Sequence, residues 1–197
     1  ENAAKLYPES LMPLINSSVL YSAVGNPARA EENLKRVLQI DPANEAANLN
    51  YGLLMAENGR IDEAEKALKK ALQANPAQAV AAYNLSVIVS QRSMDEAVIY
   101  AKIAATANVQ EPKYAYTLAY YLLQNNRKNE AIRTLKGVVQ SFPQYLNAVS
   151  LLADTYARDG KTAEAVKVYQ QALKSEGISV QDRTAIMQAI AGLQQIR

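Results

Sequence analysis

The sequence predicts an all-α solenoid of five antiparallel helix pairs closed by one last helix, and three observations carry that expectation. Small residues keep a beat: Ala30, Ala64, Ala97, Ala131 and Ala165 recur at intervals of 34, 33, 34 and 34 residues, which is the mark of a repeat architecture. Each period is halved by a polar break, at Gly25-Asn26-Pro27, Asn58-Gly59, Arg92-Ser93, Asn125-Asn126-Arg127 and Asp159-Gly160. Composition agrees, with 49 % hydrophobic residues, many of them alanine, and 12 Tyr against one Phe and no Trp; such a chain favours closely packed helices.

The elements follow in order. Residues 1–10 read as a lead-in. Five units are expected at about 11–44, 45–78, 79–111, 112–145 and 146–177, joined at Asp41-Pro42, Asn75-Pro76, Phe142-Pro143 and a looser turn ending in Pro112. Gly and Asn accept the left-handed conformation that ends a helix, and Pro cannot continue one. The repeated alanines open each second helix where it crosses the first, and a larger side chain there would hold the backbones apart. Leu34, Leu68, Leu135 and Tyr169 lie four residues on, on the same face. Ala101 takes that place in the third unit, so its junction is either thinner or filled by Tyr100. Each pair alone leaves an apolar face open, and stacking buries it. Residues 178–197 read as a capping helix: Ser179 with Asp182 suits a helix start, and Ile186, Ile190 and Leu193 make one apolar stripe opposite Gln181, Arg183, Gln188 and Gln195. A docking role for that helix is the other reading.

These positions carry a resemblance. Tyr51-Gly52, Gly59, Ala64, Leu68, Ala71 and Pro76, and again Leu152-Ala153, Tyr156, Gly160, Ala165, Tyr169 and Ala172, resemble the tetratricopeptide repeat, over residues 11–177. The resemblance implies a right-handed α-solenoid and a scaffold for protein–protein interaction. Two departures stand out: Ser17-Ser18 replaces the Leu-Gly pair in the first unit, and the third unit is one residue short at its internal turn. A narrower likeness, from Glu111 to Leu122, is to repeat modules attached to bacterial multihaem c-type cytochromes. It would imply an extracytoplasmic module, in a periplasm for example, whereas the residues themselves leave the compartment open.

In such repeats the first helices line the concave face. The residues expected there are Ile15 and Val19, Leu49 and Leu53, Tyr83 and Val87, Tyr116 and Tyr120, and Ser150 and Asp154. Four units thus offer an apolar lining that turns aromatic in the middle, a surface a solenoid core does not require and a partner would use. Burial in the core is the competing reading of the same side chains. Asn16, Asn50 and Asn84, 34 apart, are similar to the asparagine ladder in the superhelix of O-GlcNAc transferase and could hydrogen-bond an extended peptide backbone. The carboxylate clamp of some family members needs Lys and Arg where this chain has Ile15, Leu49 and Tyr83. Arg36, Lys66, Lys69 and Lys70 on second helices read as a solvated convex face.

Chemistry is hard to place here. The sequence has no Cys and no His, which excludes disulfides, thiolate and imidazole catalysis and Cys/His metal sites within it. Asp62-Glu63 and Asp95-Glu96 sit where acids favour a helix start. No Gly-rich phosphate loop appears. The expectation is a non-enzyme without cofactor or metal. A net charge of +2 with alternating signs argues against nucleic acid, and no apolar run reaches a membrane span. The sequence opens on Glu1 rather than Met, as a processed or excised chain does. The partner expected is a protein or peptide, held against Tyr83, Tyr116 and Tyr120. The alternatives are a structural or self-assembling spacer, with a homo-oligomer formed through Leu11-Met12-Leu14-Ile15 or the last helix, and an accessory domain of a larger enzyme or cytochrome.

Overall fold

In a computed structural model that describes residues 11–195, the periodic halves become helices. They are α1 (Met12–Ala23), α2 (Pro27–Ile40), α3 (Glu45–Glu57), α4 (Ile61–Ala74), α5 (Ala79–Val89), α6 (Met94–Ala107), α7 (Pro112–Gln124), α8 (Lys128–Ser141), α9 (Leu146–Arg158), α10 (Thr162–Leu173) and α11 (Val180–Gln195). The described residues form no strand. The lead-in expected over 1–10 lies outside them.

Local signals place the helix ends. The Asn26 and Asn44 side chains accept from the backbone N–H groups of Arg29 and Ala47 at 3.3 and 3.0 Å, and Ser179 Oγ accepts from Asp182 N at 3.0 Å. Four of the internal turns close through a left-handed residue, Gly25, Gly59, Asn126 and Gly160. The third does without one. It is a residue shorter, and Ser93 N returns directly to Val89 O at 2.8 Å.

Contacts divide the described residues into two units, 11–107 and 108–195. In the N-terminal unit α1, α3 and α5 pair with α2, α4 and α6, and each second helix packs on the next first helix. In the C-terminal unit α7 pairs with α8 and α9 with α10, α8 packs on α9, and α11 closes on α10. The five beat alanines are fully buried, as are Leu34, Leu68 and Leu135. Tyr100 packs against the cluster of Leu68, Ala71, Ala81 and Leu85.

The crossing at Gly52 is tight. A Cβ built there meets Leu68 Cγ at 2.7 Å and Cδ2 at 2.8 Å, so only hydrogen fits between α3 and α4. The corresponding residues on the other first helices are Ser18, Ser86, Ala119 and Ala153, all small and buried. The departure at Ser17-Ser18 keeps this rule. Ser18 Oγ donates to Ile15 O and Ser86 Oγ to Tyr83 O, both at 2.6 Å, so a buried hydroxyl costs no lost hydrogen bond.

Candidate functional site

The expected binding residues sit on first helices, and their exposure sorts them. On α1, Val19 and Asn16 face solvent, but Ile15 is 3 % exposed and belongs to a core cluster with Leu11, Ala30 and Leu34. Ile15 therefore cannot line an open groove. Leu11, one turn earlier, sits in the same cluster, and the pair turns inward onto α2.

Leu49 and Leu53 on α3 are half-buried and pack against the cluster of Leu68, Ala71, Ala81 and Leu85. They act partly as core, and only their outer edges remain for a partner. On α5, Tyr83 is half-buried and Val87 exposed. Asn16 is exposed while Asn50 and Asn84 are half-buried, and the Asn84 amide Nδ2 donates to Val80 O one turn back at 2.8 Å. That bond ties the Asn84 side chain to its own helix and leaves its oxygen as the group free to accept.

The C-terminal unit is rich in tyrosine, with Tyr114, Tyr121, Tyr156 and Tyr169 buried, Tyr116 and Tyr145 half-buried and Tyr120 exposed. Seven of the twelve tyrosines fall in it: Tyr114, Tyr116, Tyr120, Tyr121, Tyr145, Tyr156 and Tyr169. Tyr120 is 42 % exposed and meets Tyr121 edge-on, with ring centres 5.9 Å apart. Tyr116 is half-buried and meets Tyr145 edge-to-face, also at 5.9 Å and at 79°. Burial first, then the neighbouring Tyr145 and Tyr120 hydroxyls, push the Tyr116 phenol above its ordinary pKa, so it stays a neutral donor through the physiological range. Tyr145 was not among the expected residues. It lies just before α9, and its place beside Tyr116 depends on how α9 packs on α7, which periodicity on one helix does not reveal.

Ser150 is half-buried and Asp154 exposed. Asp154 lines a polar recess of about 490 Å³ with Leu123, Gln124, Leu151 and Arg158. Another cleft lies on the second-helix side, about 630 Å³, walled by Lys136, Val139, Gln140, Pro143, Tyr156 and Val168 among others. A smaller one, about 310 Å³, is walled by Lys69, Leu72, Gln73, Pro76, Tyr100 and Ile103. Lys69, Leu72, Gln73 and Pro76 are each 67 positions before Lys136, Val139, Gln140 and Pro143, so the repeat itself produces this cleft in both units.

Several charged residues are spent on structure. Arg60 bridges Glu63 and Glu31, and Arg92 grips both oxygens of Glu65 at 2.6 Å. Glu63, one of the paired acids at a helix start, also accepts the Tyr51 hydroxyl at 3.0 Å. Lys69 is tied to Glu65 at 2.7 Å, while Arg36, Lys66 and Lys70 are exposed. Among the described residues no three His, Cys, Asp or Glu side chains converge to hold a metal ion. No described helix is long and apolar enough to cross a membrane.

Comparison with known proteins bears on the fold. Residues 22–87 match the tetratricopeptide repeat, and residues 90–172 match anaphase-promoting complex, cyclosome, subunit 3. Curated protein sequences gave no match. Among solved structures, the chain resembles YrrB, described as a TPR protein with an unusual peptide-binding site, at 21 % identity and TM-score 0.72, covering 95 % of each chain. It resembles MamA at 23 % identity and TM-score 0.70, over 80 % of this chain and 92 % of that one. A third likeness is to MamA from residue 41 to the end, from Desulfovibrio magneticus RS-1, at 16 % identity and TM-score 0.69, over 83 % and 93 %. Residues 22–87 thus belong to the tetratricopeptide-repeat family, and the chain shares the helical fold of these solved structures.

Proposed function

We propose that the chain is a protein-interaction scaffold, not an enzyme, and that it holds a peptide or partner segment on the outer faces of its first helices. One observation carries this reading: Tyr120 is held open on α7 beside Tyr121, with Tyr116 and Tyr145 forming a second edge-to-face pair. A soluble repeat has no structural need to present such rings, and tyrosine contributes large contact area at low side-chain entropy cost while keeping a hydroxyl to bond a peptide backbone. In the N-terminal unit, taken by itself, Val19 and Val87 are exposed apolar residues, and the Asn50 amide and the Asn84 oxygen are groups able to bond a peptide backbone. The peptide-binding site of YrrB supports the same use of this fold. The near-balanced charge of +2 favours protein over nucleic acid as the partner.

The test uses a displayed peptide library selected on the wild-type chain. Binding of the selected peptides is then measured to three variants: Tyr83→Ala with Val87→Ala, Tyr116→Ala with Tyr120→Ala, and all three tyrosines changed together. The triple change is expected to cost at least ~2 kcal/mol of binding while the melting temperature holds, and the paired variants report which unit carries the contact. Unchanged affinity, or a collapse of the melting temperature, would return these residues to the core and end the proposal.

A further inference from the structure

We infer that the cleft on the second-helix side of the C-terminal unit binds an acidic peptide segment. Its floor takes a bulky apolar side chain, and Lys136 and Lys167 take the neighbouring carboxylate. The site is separate from the exposed tyrosine of α7 and stands or falls without it.

The cleft lies where α8 and α10 flank α9. Leu152 and Tyr156 of α9 form its floor with Val139 of α8 and Val168 of α10, all four buried. The exposed rim is polar, with Lys136 and Gln140 on α8 and Lys167 and Gln171 on α10; Glu164 stands near the start of α10. A volume of about 630 Å³ is that of an ordinary ligand pocket, which joins an apolar lining to a few placed polar groups.

The matching cleft of the N-terminal unit shows what is particular to this one. It measures about 310 Å³, half as much. Up to the short third turn its residues stand 67 positions earlier, and beyond that turn 68 (165 − 97). Lys69 thus corresponds to Lys136, and Ile99, Tyr100 and Ile103 correspond to Lys167, Val168 and Gln171. Tyr100 packs on the Leu68 cluster and puts a large ring where Val168 leaves room. Ile99 and Ile103 are apolar where Lys167 and Gln171 are polar. Lys69 is held by Glu65 at 2.7 Å, whereas Ile132 takes the place of that glutamate and Lys136 lies over the Tyr156 ring.

Each difference either enlarges the C-terminal cleft or strengthens its cationic, hydrogen-bonding rim. Lys136 and Lys167 enter no ion pair among the described residues. Set against Glu164, they leave the lining with a net charge of +1 (2 − 1). A carboxylate is the complementary charge, and charge-assisted bonds to it are the strong ones. A peptide fits better than a simple fatty acid, because Gln140 and Gln171 each offer the donor and the acceptor that a backbone amide needs.

Titration of the whole chain, read by amide NMR, tests the assignment. The probes are the acetylated and amidated peptide Glu-Leu-Phe-Glu, its counterparts Gln-Leu-Phe-Gln and Glu-Ala-Ala-Glu, and octanoate. Each is added to about 2 mM, where ligands of millimolar affinity approach saturation. The first peptide is expected to shift the amides of Val139, Gln140, Lys167 and Val168, and the other three probes to bind at least about tenfold more weakly. Lys136→Gln combined with Lys167→Gln should weaken the first peptide about tenfold. Ile132→Glu, which returns a carboxylate one turn before Lys136, should weaken it by less. Val168→Tyr should fill the cleft and abolish binding with both lysines intact; if that variant melts early, the lysine pair, both exposed, decides. Tyr83→Ala with Tyr116→Ala and Tyr120→Ala should leave this binding unchanged, so the two sites can fail separately. No shift at these amides, equal binding of the glutamine peptide or of octanoate, lysine variants that bind as wild type does, or shifts confined to α7 would overturn the proposal.

Discussion

The N-terminal and C-terminal units share one skeleton and both join successive pairs through ion pairs, but at different positions. In residues 11–107 Glu31 of the first pair takes Arg60 of the second at 2.8 Å, and Glu65 of the second takes Arg92 of the third; in the C-terminal unit Lys128 of α8 pairs with Asp159 just after α9. In the C-terminal unit, Ile132 stands where Glu65 stands, one residue after its beat alanine. There Lys136 lies over the Tyr156 ring at 5.9 Å, whereas its counterpart Lys69 bonds Glu65. Helix crossing differs too. Gly52 lets α4 approach α3 until nothing larger than hydrogen fits, while Ala119 and Ala153 keep a methyl at the same crossing. One repeat pattern therefore tolerates cross-pair ion pairs at different positions, with or without a cation–ring contact beside them, provided the small residue and the leucine behind it are kept.

The shared part of that comparison breaks first under Leu→Ala at the common core position. Leu68→Ala and Leu135→Ala each remove a fully buried side chain and should each cost about 3 kcal/mol in urea unfolding. Unequal costs would show that the two units do not use the leucine alike.

Gly52→Ala is next. A methyl at 2.7 Å from Leu68 Cγ forces the helices apart, at roughly 1–2 kcal/mol after the intrinsic helix gain of Ala is allowed for. In a Leu68→Ala background the added methyl escapes the leucine and keeps only its 3.2 Å approach to Ala64 O, so the same change should cost less. An additive double mutant would contradict the steric account.

Acid should distinguish the units by their carboxylates. Arg92 first, then Lys69, holds Glu65 down at about 2 from an ordinary 4.5, against the opposing effect of burial. Lys35 and Arg60 lower Glu31, and Arg60 with Tyr51 lowers Glu63. In the C-terminal unit Asp159 is lowered, by Lys128 and then Lys161. A carboxylate with a depressed folded-state pKa stabilises above its unfolded value and loses that contribution as pH falls toward the folded one. Between about pH 4.5 and 2 the amides of α2 and α4 should thus lose hydrogen-exchange protection faster than those of α8 and α10. Glu65→Gln should remove roughly 1 kcal/mol at neutral pH, a value discounted for the half-exposed Arg92 partner, and flatten that acid response. Equal loss in both units, or no change with Glu65→Gln, would dismiss the ionic linkage.

The smallest effect has the opposite sign. Gly137 lies in the middle of α8 with nothing within 4 Å of an added Cβ, so Gly137→Ala should stabilise by about 0.5–1 kcal/mol. A loss of stability would mean that the flexibility of this helix, rather than its packing, had been retained.

The spacing of Ala30, Ala64, Ala97, Ala131 and Ala165, with the Gly, Asn and Pro between them, was enough to read the helices, their pairing and the closing helix. These are local matters: a helix end needs a residue that accepts φ > 0 or cannot donate, a crossing needs a small side chain, and both needs recur wherever the pair recurs. Which side of a first helix stays open was only partly legible, because periodicity ranks faces within one helix while burial depends on what stands beside it. Ile15 shows the difference. The repeat register assigns Ile15 to an open groove, yet it is sealed by its own cluster. Likewise Tyr116 was foreseeable as a surface ring, but its edge-to-face partner Tyr145 comes from the start of another helix. Repetition in the chain thus determined the elements and their order. The neighbours that each helix has, or lacks, were decided in tertiary structure, because exposure is a property of a pair of surfaces and not of a residue.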